Sequence, residues 1–264
     1  MKTVVNFGAG PAKLPVEVLE KAQREFLDYN GLGISVLEMS HRSSDFGNLI
    51  KETEKLVRDL LVVPDEYAVL FMHGGGTGQF AAIPQNLGFL SKASPPSADY
   101  VVTGSWSDKA IKEADKFIKT NKVFKIEKPY SKIPAMDQWS LSEDAAYLYY
   151  CANETIHGVE FHDTPQIDWT KIPLHALAYA GTQKNIGAGG LTLVVVRKDL
   201  LGKAHPQTPS ILNYEEIHNN KSIYNTPPCF NIYITKLVLE WIRDQGGAQT
   251  IFERNQLKAE KFTE

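Results

Sequence analysis

The sequence predicts an α/β sandwich with a mostly parallel sheet flanked by helices. Three observations lead there. Apolar runs rich in Val, Tyr, Leu and Ala recur at 67–72, 99–103, 145–151, 174–180 and 191–197, the length of strands buried on both faces. Amphipathic stretches of helical period accompany them. Polar and glycine-rich motifs follow several of the strand candidates, and in open α/β sheets ligands gather at the carboxyl ends of strands.

Taken in order, residues 1–14 read as an N-terminal arm. After Pro15, the residues Val18, Leu19, Ala22, Phe26 and Leu27 fall at helical spacing, so 15–29 is expected to be a helix. Leu49, Ile50, Thr53, Leu56, Val57 and Leu60 repeat the pattern over 47–61. The strand candidate 67–72 runs into His73-Gly74-Gly75-Gly76-Thr77-Gly78-Gln79-Phe80, with a helix expected over 79–90. Glycines between a strand and a helix N-terminus let several backbone N–H groups point at one anion, and the helix dipole adds to the attraction. Such a segment is a phosphate cradle, although by itself it reads equally well as a glycine-rich turn. It is not a nucleotide P-loop, since no Gly-Lys-Ser/Thr closes it, and it lacks the dinucleotide Gly-x-Gly-x-x-Gly spacing.

Residues 91–98 form a polar loop. Trp106, in a Gly-Ser-Trp-Ser turn after the second strand candidate, offers either a flat face for stacking or a packed core indole. Asn153 and Thr155 follow the strand candidate ending at Cys151, where they serve as turn or cap residues or give a hydroxyl to a ligand. The most informative residue is Lys184, in Ala-Tyr-Ala-Gly-Thr-Gln-Lys-Asn (178–185), at the polar exit of a strand and among Gly181, Gly187, Gly189 and Gly190. Alone, it reads as a solvated surface charge. A shielded lysine among glycines that admit a ring also suits a Schiff base with a carbonyl cofactor. Lysine and phosphate cradle together point to pyridoxal 5′-phosphate, which needs an amine partner and an anchor for its phosphate.

Composition bounds the rest. The chain has 264 residues, 43% apolar and 22% charged, with a formal charge of −3, so it can bury a sizeable core and carries no basic footprint for nucleic acid. One cofactor-binding domain is expected over 15–245, with a helix beginning in 246–264. Cys151 and Cys229 suit a reducing compartment better than a disulfide framework or zinc site. His157 and His162 lack spaced partners for a metal, so none is expected. No secretory leader or membrane span is evident, which makes the cytosol the expected location.

Seven segments then occur together: Asn6-Phe7-Gly8-Ala9-Gly10-Pro11-Ala12, Glu38-Met39-Ser40-His41-Arg42-Ser43, Gly74-Gly75-Gly76-Thr77-Gly78-Gln79-Phe80, Thr103-Gly104-Ser105-Trp106-Ser107, Ala152-Asn153-Glu154-Thr155, Ala180-Gly181-Thr182-Gln183-Lys184-Asn185 and Tyr224-Asn225-Thr226-Pro227-Pro228. In this set and order the chain resembles the phosphoserine aminotransferases, fold-type I pyridoxal-phosphate enzymes of serine biosynthesis. The resemblance implies the large domain of that fold and amino transfer between L-glutamate and 3-phosphohydroxypyruvate. It implies that Lys184 carries the cofactor, that Gly76, Thr77 and Gln183 hold its phosphate, that Trp106 stacks on its ring and that Thr155 gives it a hydroxyl. Asn225 and Thr226 would reach the phosphate in the neighbouring subunit of a homodimer. His41 and Arg42 would hold the substrate's anionic groups, the arginine through its forked donors.

The sequence departs from the family in two places. The family's strand ending in the aspartate that pairs with the pyridine nitrogen is not evident between Gly158-Val159-Glu160-Phe161 and Lys184, where only Asp163 and Asp168 are available. The chain also ends within a helix that in the family leads to a C-terminal small domain, so that domain and its carboxylate-clamping arginine are expected to be missing. Both departures imply little transamination. The readings left standing beside the main one are another fold-type I aminotransferase and a non-catalytic isoform that dimerises with full-length subunits.

Overall fold

The computed structural model describes residues 4–125, 128–165 and 176–263. The chain forms α1 (Val16–Arg24), α2 (Ser44–Leu61), β1 (Tyr67–Met72), α3 (Gly75–Leu87), β2 (Ser97–Val101) and α4 (Ser105–Ala114). It continues with β3 (Lys119–Lys122), β4 (Leu148–Tyr150), the short β5 (Asn153–Glu154) and β6 (Val159–Glu160), then β7 (Leu177–Gly181) and β8 (Thr192–Arg197). Three helices close it: α5 (Tyr214–Asn219), α6 (Cys229–Asp244) and α7 (Gly247–Thr263). Residues 1–75, 179–195 and 220–264 make one compact unit, and 76–178 with 196–219 make another.

In the first unit, α1, α2 and α6 share a core with side chains of β1 and β8. The apolar stripe of α2 (Phe46, Leu49, Ile50, Leu56 and Val57) is buried as its period predicts. This helix begins before residue 47 because the Ser43 hydroxyl accepts the Phe46 N–H at 3.2 Å, satisfying a first-turn donor. It ends on Val62, whose φ of 51° breaks the helical path. Helix α1 stops short of residue 29, since local turn chemistry wins over the apolar period. The Asp28 carboxylate accepts the Gly33 N–H at 2.7 Å, and Asn30, Gly31 and Gly33 all adopt positive φ.

In the second unit, β2 pairs in parallel with β3 (Ser97↔Lys119) on one side and with β4 (Asp99↔Leu148) on the other. Strand β3, Lys-Thr-Asn-Lys, carries no apolar pattern, so only its pairing makes it a strand. Val101, Val123 and Phe124 form a small core packed by Trp139, Leu148, Tyr150 and Phe161. Helix α5 joins α3 through Tyr214, whose hydroxyl donates to the buried Gln79 amide oxygen at 2.8 Å.

The described strands form two three-stranded sheets, β1-β8-β7 and β3-β2-β4, and the antiparallel ribbon β5-β6. Among the described residues β4 is an edge of one sheet and β7 an edge of the other. Neither has the two-sided burial of a central parallel strand: β4 has three residues, and Ala178 and Ala180 of β7 are exposed.

Candidate active site

Lys184 lies in the turn that follows β7, half-buried. Its loop is held from inside by Thr182, fully buried, whose hydroxyl donates to the Ala188 carbonyl at 2.5 Å while its N–H donates to Leu191 at 3.1 Å. Gly187 sits against Thr235 of α6 so closely that a Cβ there would overlap the Thr235 hydroxyl. Gly190, at φ 108°, lets the loop turn back into β8. The N-terminal arm crosses the same loop. Ala12 N–H donates to the Gln183 carbonyl at 2.8 Å, and a Cβ built on Gly10 would lie 3.1 Å from Lys184 Cγ. Glycine at position 10 therefore leaves room along the lysine side chain that any other residue would fill.

After β1, Gly74 and Gly75 take φ values of 91° and 61° and turn the chain into α3, which starts four residues earlier than its apolar pattern suggests. Gly76 and Thr77 thus fall in the first turn, where N–H groups have no intrahelical acceptor. His73, just before this turn, meets the 225–226 segment: its Nε2 lies 3.2 Å from the Thr226 carbonyl and 3.4 Å from Asn225 Nδ2. Sequence reasoning passed over His73, because its partner lies far along the chain. Asn225 and Thr226 are exposed. His41 and Arg42 occupy the turn before α2, His41 half-buried and Arg42 exposed.

In the second unit, Trp106 is the second residue of α4, and Thr155 directly follows β5. The two segments are tied by Glu154, whose carboxylate accepts the Trp106 N–H at 2.9 Å and the Ser107 N–H at 2.8 Å. Ser105 Oγ and His157 Nε2 add a second tie at 2.8 Å. The Lys109 ammonium lies 4.6 Å from the centroid of the Trp106 ring. Nearby, burial pushes the Tyr130 phenol up, with the Asp108 charge adding to it. Burial of Asp108 itself opposes ionisation, but hydrogen bonds and charge from Lys112 and Lys122 prevail and draw its carboxyl below the ordinary range.

Of the two acids near the expected strand, Asp163 is exposed in a bend after β6, and Asp168 lies outside the described residues. Groups that suit a flat phosphorylated aldehyde occur in each unit taken by itself. The Trp106 indole N–H and the Thr103 hydroxyl, like polar atoms of Thr192, Thr235 and Trp241, are buried without a hydrogen-bond partner among the described residues. Positive-φ glycines open a helix N-terminus, and Gly10 clears the lysine. No described helix is long and apolar enough to cross a membrane.

The aminotransferase class-V family model matches residues 4–172 and 166–264, two pieces that meet at 166–172. A probable phosphoserine aminotransferase of Caenorhabditis elegans is 52% identical over 271 aligned positions, covering 97% of this chain and 72% of the relative. Since 97% of 264 residues is about 256, about 15 positions of that relative have no counterpart here. Phosphoserine aminotransferase 1, chloroplastic, of Arabidopsis thaliana is 46% identical over 97% of this chain, which spans 63% of the plant protein's length. The solved structure of pyridoxal-phosphate-bound phosphoserine aminotransferase from Trichomonas vaginalis superposes with a TM-score of 0.90 at 36% identity, over 97% of this chain and 80% of that one.

Proposed function

The chain belongs to the aminotransferase class-V family, alongside its phosphoserine aminotransferases, and from that premise we propose that it serves amino transfer between L-glutamate and 3-phosphohydroxypyruvate, with O-phospho-L-serine and 2-oxoglutarate as products. The observation that carries the reading is Lys184, half-buried behind Gln183 on a glycine-cleared loop after β7. Pyridoxal phosphate, when bound, supplies the aldehyde that accepts an amino group and the ring that draws electrons from the substrate's α-carbon.

The chain's own residues then divide the work. Lys184 Nζ would hold the cofactor and would carry the proton to and from the substrate's α-carbon. Gly76 and Thr77 offer first-turn N–H groups to the phosphate, where the helix dipole favours a dianion. Gln183, Asn225 and Thr226 add polar contacts to that phosphate, the last two across a homodimer. Trp106 stacks on the ring and Thr155 gives a hydroxyl to it. His41 and Arg42 bind the substrate's anionic groups, where a guanidinium fork matches a carboxylate or phosphate. The proposed location is the cytosol.

The test is cofactor capture by the purified full chain, followed by borohydride reduction and peptide mapping. Label on Lys184, lost in Lys184→Ala, supports the reading; label on another lysine, or none on a folded sample, refutes it. The aligned positions without a counterpart here favour a second reading, a chain that binds cofactor but turns over poorly. Glutamate-dependent conversion of the phosphorylated keto acid separates the two.

A further inference from the structure

Glu154 is fully buried, yet it belongs to none of the groups assigned above to cofactor or substrate. An ionised carboxylate inside a protein is costly unless its oxygens are saturated by donors. Here both oxygens are used. Oε2 accepts the Trp106 N–H, while Oε1 accepts the Ser107 N–H and the Ser107 hydroxyl at 2.5 Å. These are donors of the first turn of α4, which ordinarily look to the side chain of the residue just before the helix. That residue is Gly104, which has none, and a Cβ there would overlap the Glu154 carboxyl group. The helix is therefore capped from a segment about fifty residues later in the chain.

The other end of Glu154 is equally fixed. Its backbone pairs with Val159 in the β5-β6 ribbon, and its carbonyl accepts the N–H groups of His157 and Gly158 at 2.9 Å each. His157 returns to the helix start through Ser105, and its ring packs edge-on against Tyr130 at 5.1 Å between centroids. The residues on either side of this clamp are the ones with ligand chemistry: Trp106, whose own N–H is gripped, and Thr155, the next residue in the chain. The Lys109 ammonium lies over one face of the indole.

We propose that Glu154 is a positioning residue for the cofactor site, acting through the α4 N-terminus to hold the Trp106 indole at the angle at which it stacks on the pyridine ring, with Thr155 fixed beside it. The inference rests on the assignment of Trp106 and Thr155 to the cofactor. A glutamine in this place keeps one accepting oxygen and turns an amide donor toward the other set of N–H groups. It fills the same volume but cannot hold both ends.

The experiment titrates the purified full chain with pyridoxal 5′-phosphate. It reads the dissociation constant and the visible circular dichroism of the bound cofactor, a signal set by the ring's chiral surroundings, while far-ultraviolet dichroism and the urea midpoint monitor the fold. Glu154→Gln is expected to weaken cofactor binding by about tenfold, the scale of one lost charge-assisted hydrogen bond, and to diminish the visible dichroism, with far-ultraviolet dichroism unchanged. Gly104→Ala, whose backbone is extended and tolerates any residue (φ −173°), displaces the carboxylate without removing it and should reproduce both effects. Glu154→Ala with Gly104→Ala should be no weaker than Glu154→Ala alone, because both act on one contact. Wild-type affinity and dichroism in both Glu154→Gln and Gly104→Ala would overturn the inference, and these two variants decide it even where Glu154→Ala does not fold. A wild-type chain that loads on Lys184 while the variants match it rejects only this role of Glu154. A wild-type chain that takes no cofactor, or takes it on another lysine, rejects the functional reading and the inference with it.

Discussion

Gly10 governs how closely the N-terminal arm crowds Lys184. A Cβ at 3.1 Å from Lys184 Cγ is already tight, and a branched side chain would press the lysine aside or lift the arm. Gly10→Val is expected to lower the yield of borohydride-trapped cofactor on Lys184 by about tenfold, while shifting stability by no more than about 1–3 kcal/mol, as read by urea unfolding. Equal trapping in the variant would show that the arm exerts no control. Thr226 presents a different case. Its carbonyl, not its hydroxyl, lies by His73, so Thr226→Ala leaves that contact in place and should loosen cofactor retention without changing the labelled lysine. Dialysis half-times of the bound cofactor measure it.

Among the elements, α6 shows how a buried charge is tolerated. Lys236 is nearly buried and lies 3.0 Å from Glu240 and 3.2 Å from Glu52, while Glu240 also takes Lys21 at 2.9 Å. Burial alone would favour neutral forms, but the hydrogen bonds outweigh it, lowering the Glu240 carboxyl and raising the Lys236 ammonium. The signs follow directly. A carboxyl lowered on folding stabilises the native state above its unfolded pKa of ~4.3 and loses that contribution as pH falls through the folded value. A raised lysine stabilises below ~10.4 and loses its share as pH rises through its folded value. Urea unfolding of the wild type should therefore weaken on acidification below ~4.3, and Glu240→Gln should cost about 2–3 kcal/mol at neutral pH with a flatter acid limb, since Lys236 then lacks its nearest anion. An unchanged acid limb would assign the acid sensitivity to other carboxyls.

At the scale of the whole molecule, the expectation is a homodimer. Sedimentation of cofactor-loaded chain should give twice the 29.5 kDa monomer mass, and a monomer that retains its cofactor would refute the sharing of Asn225 and Thr226 between subunits. The family match falls in two pieces that overlap at 166–172. Where neither Asp163 nor Asp168 meets the cofactor's pyridine nitrogen, slow turnover is expected, because a ring without a carboxylate there is a poorer electron sink. Glutamate-dependent turnover of 3-phosphohydroxypyruvate by the purified chain is expected to be at least ~10-fold below that of the full-length nematode relative, equivalent to about 1.4 kcal/mol of barrier. Equal turnover in the two proteins would refute that expectation.

What the sequence by itself determined is whatever depends on neighbours in the chain. The buried face of α2, the strand Tyr67–Met72 and the glycine turn into α3 all follow from side-chain period and backbone freedom within a few residues. The run of motifs around Lys184 likewise sufficed for the family and its cofactor, because each motif is contiguous. Only the tertiary structure decided the rest. The polar β3 is a strand because β2 pairs with it, His73 matters because Thr226 returns to it, and Glu154 caps a helix whose own preceding residue has no side chain. Local pattern could not reveal these, since a hydrogen bond between residues tens to more than a hundred positions apart leaves no periodicity in either segment; it exists only once the fold has closed the chain and removed the water that would otherwise satisfy both groups.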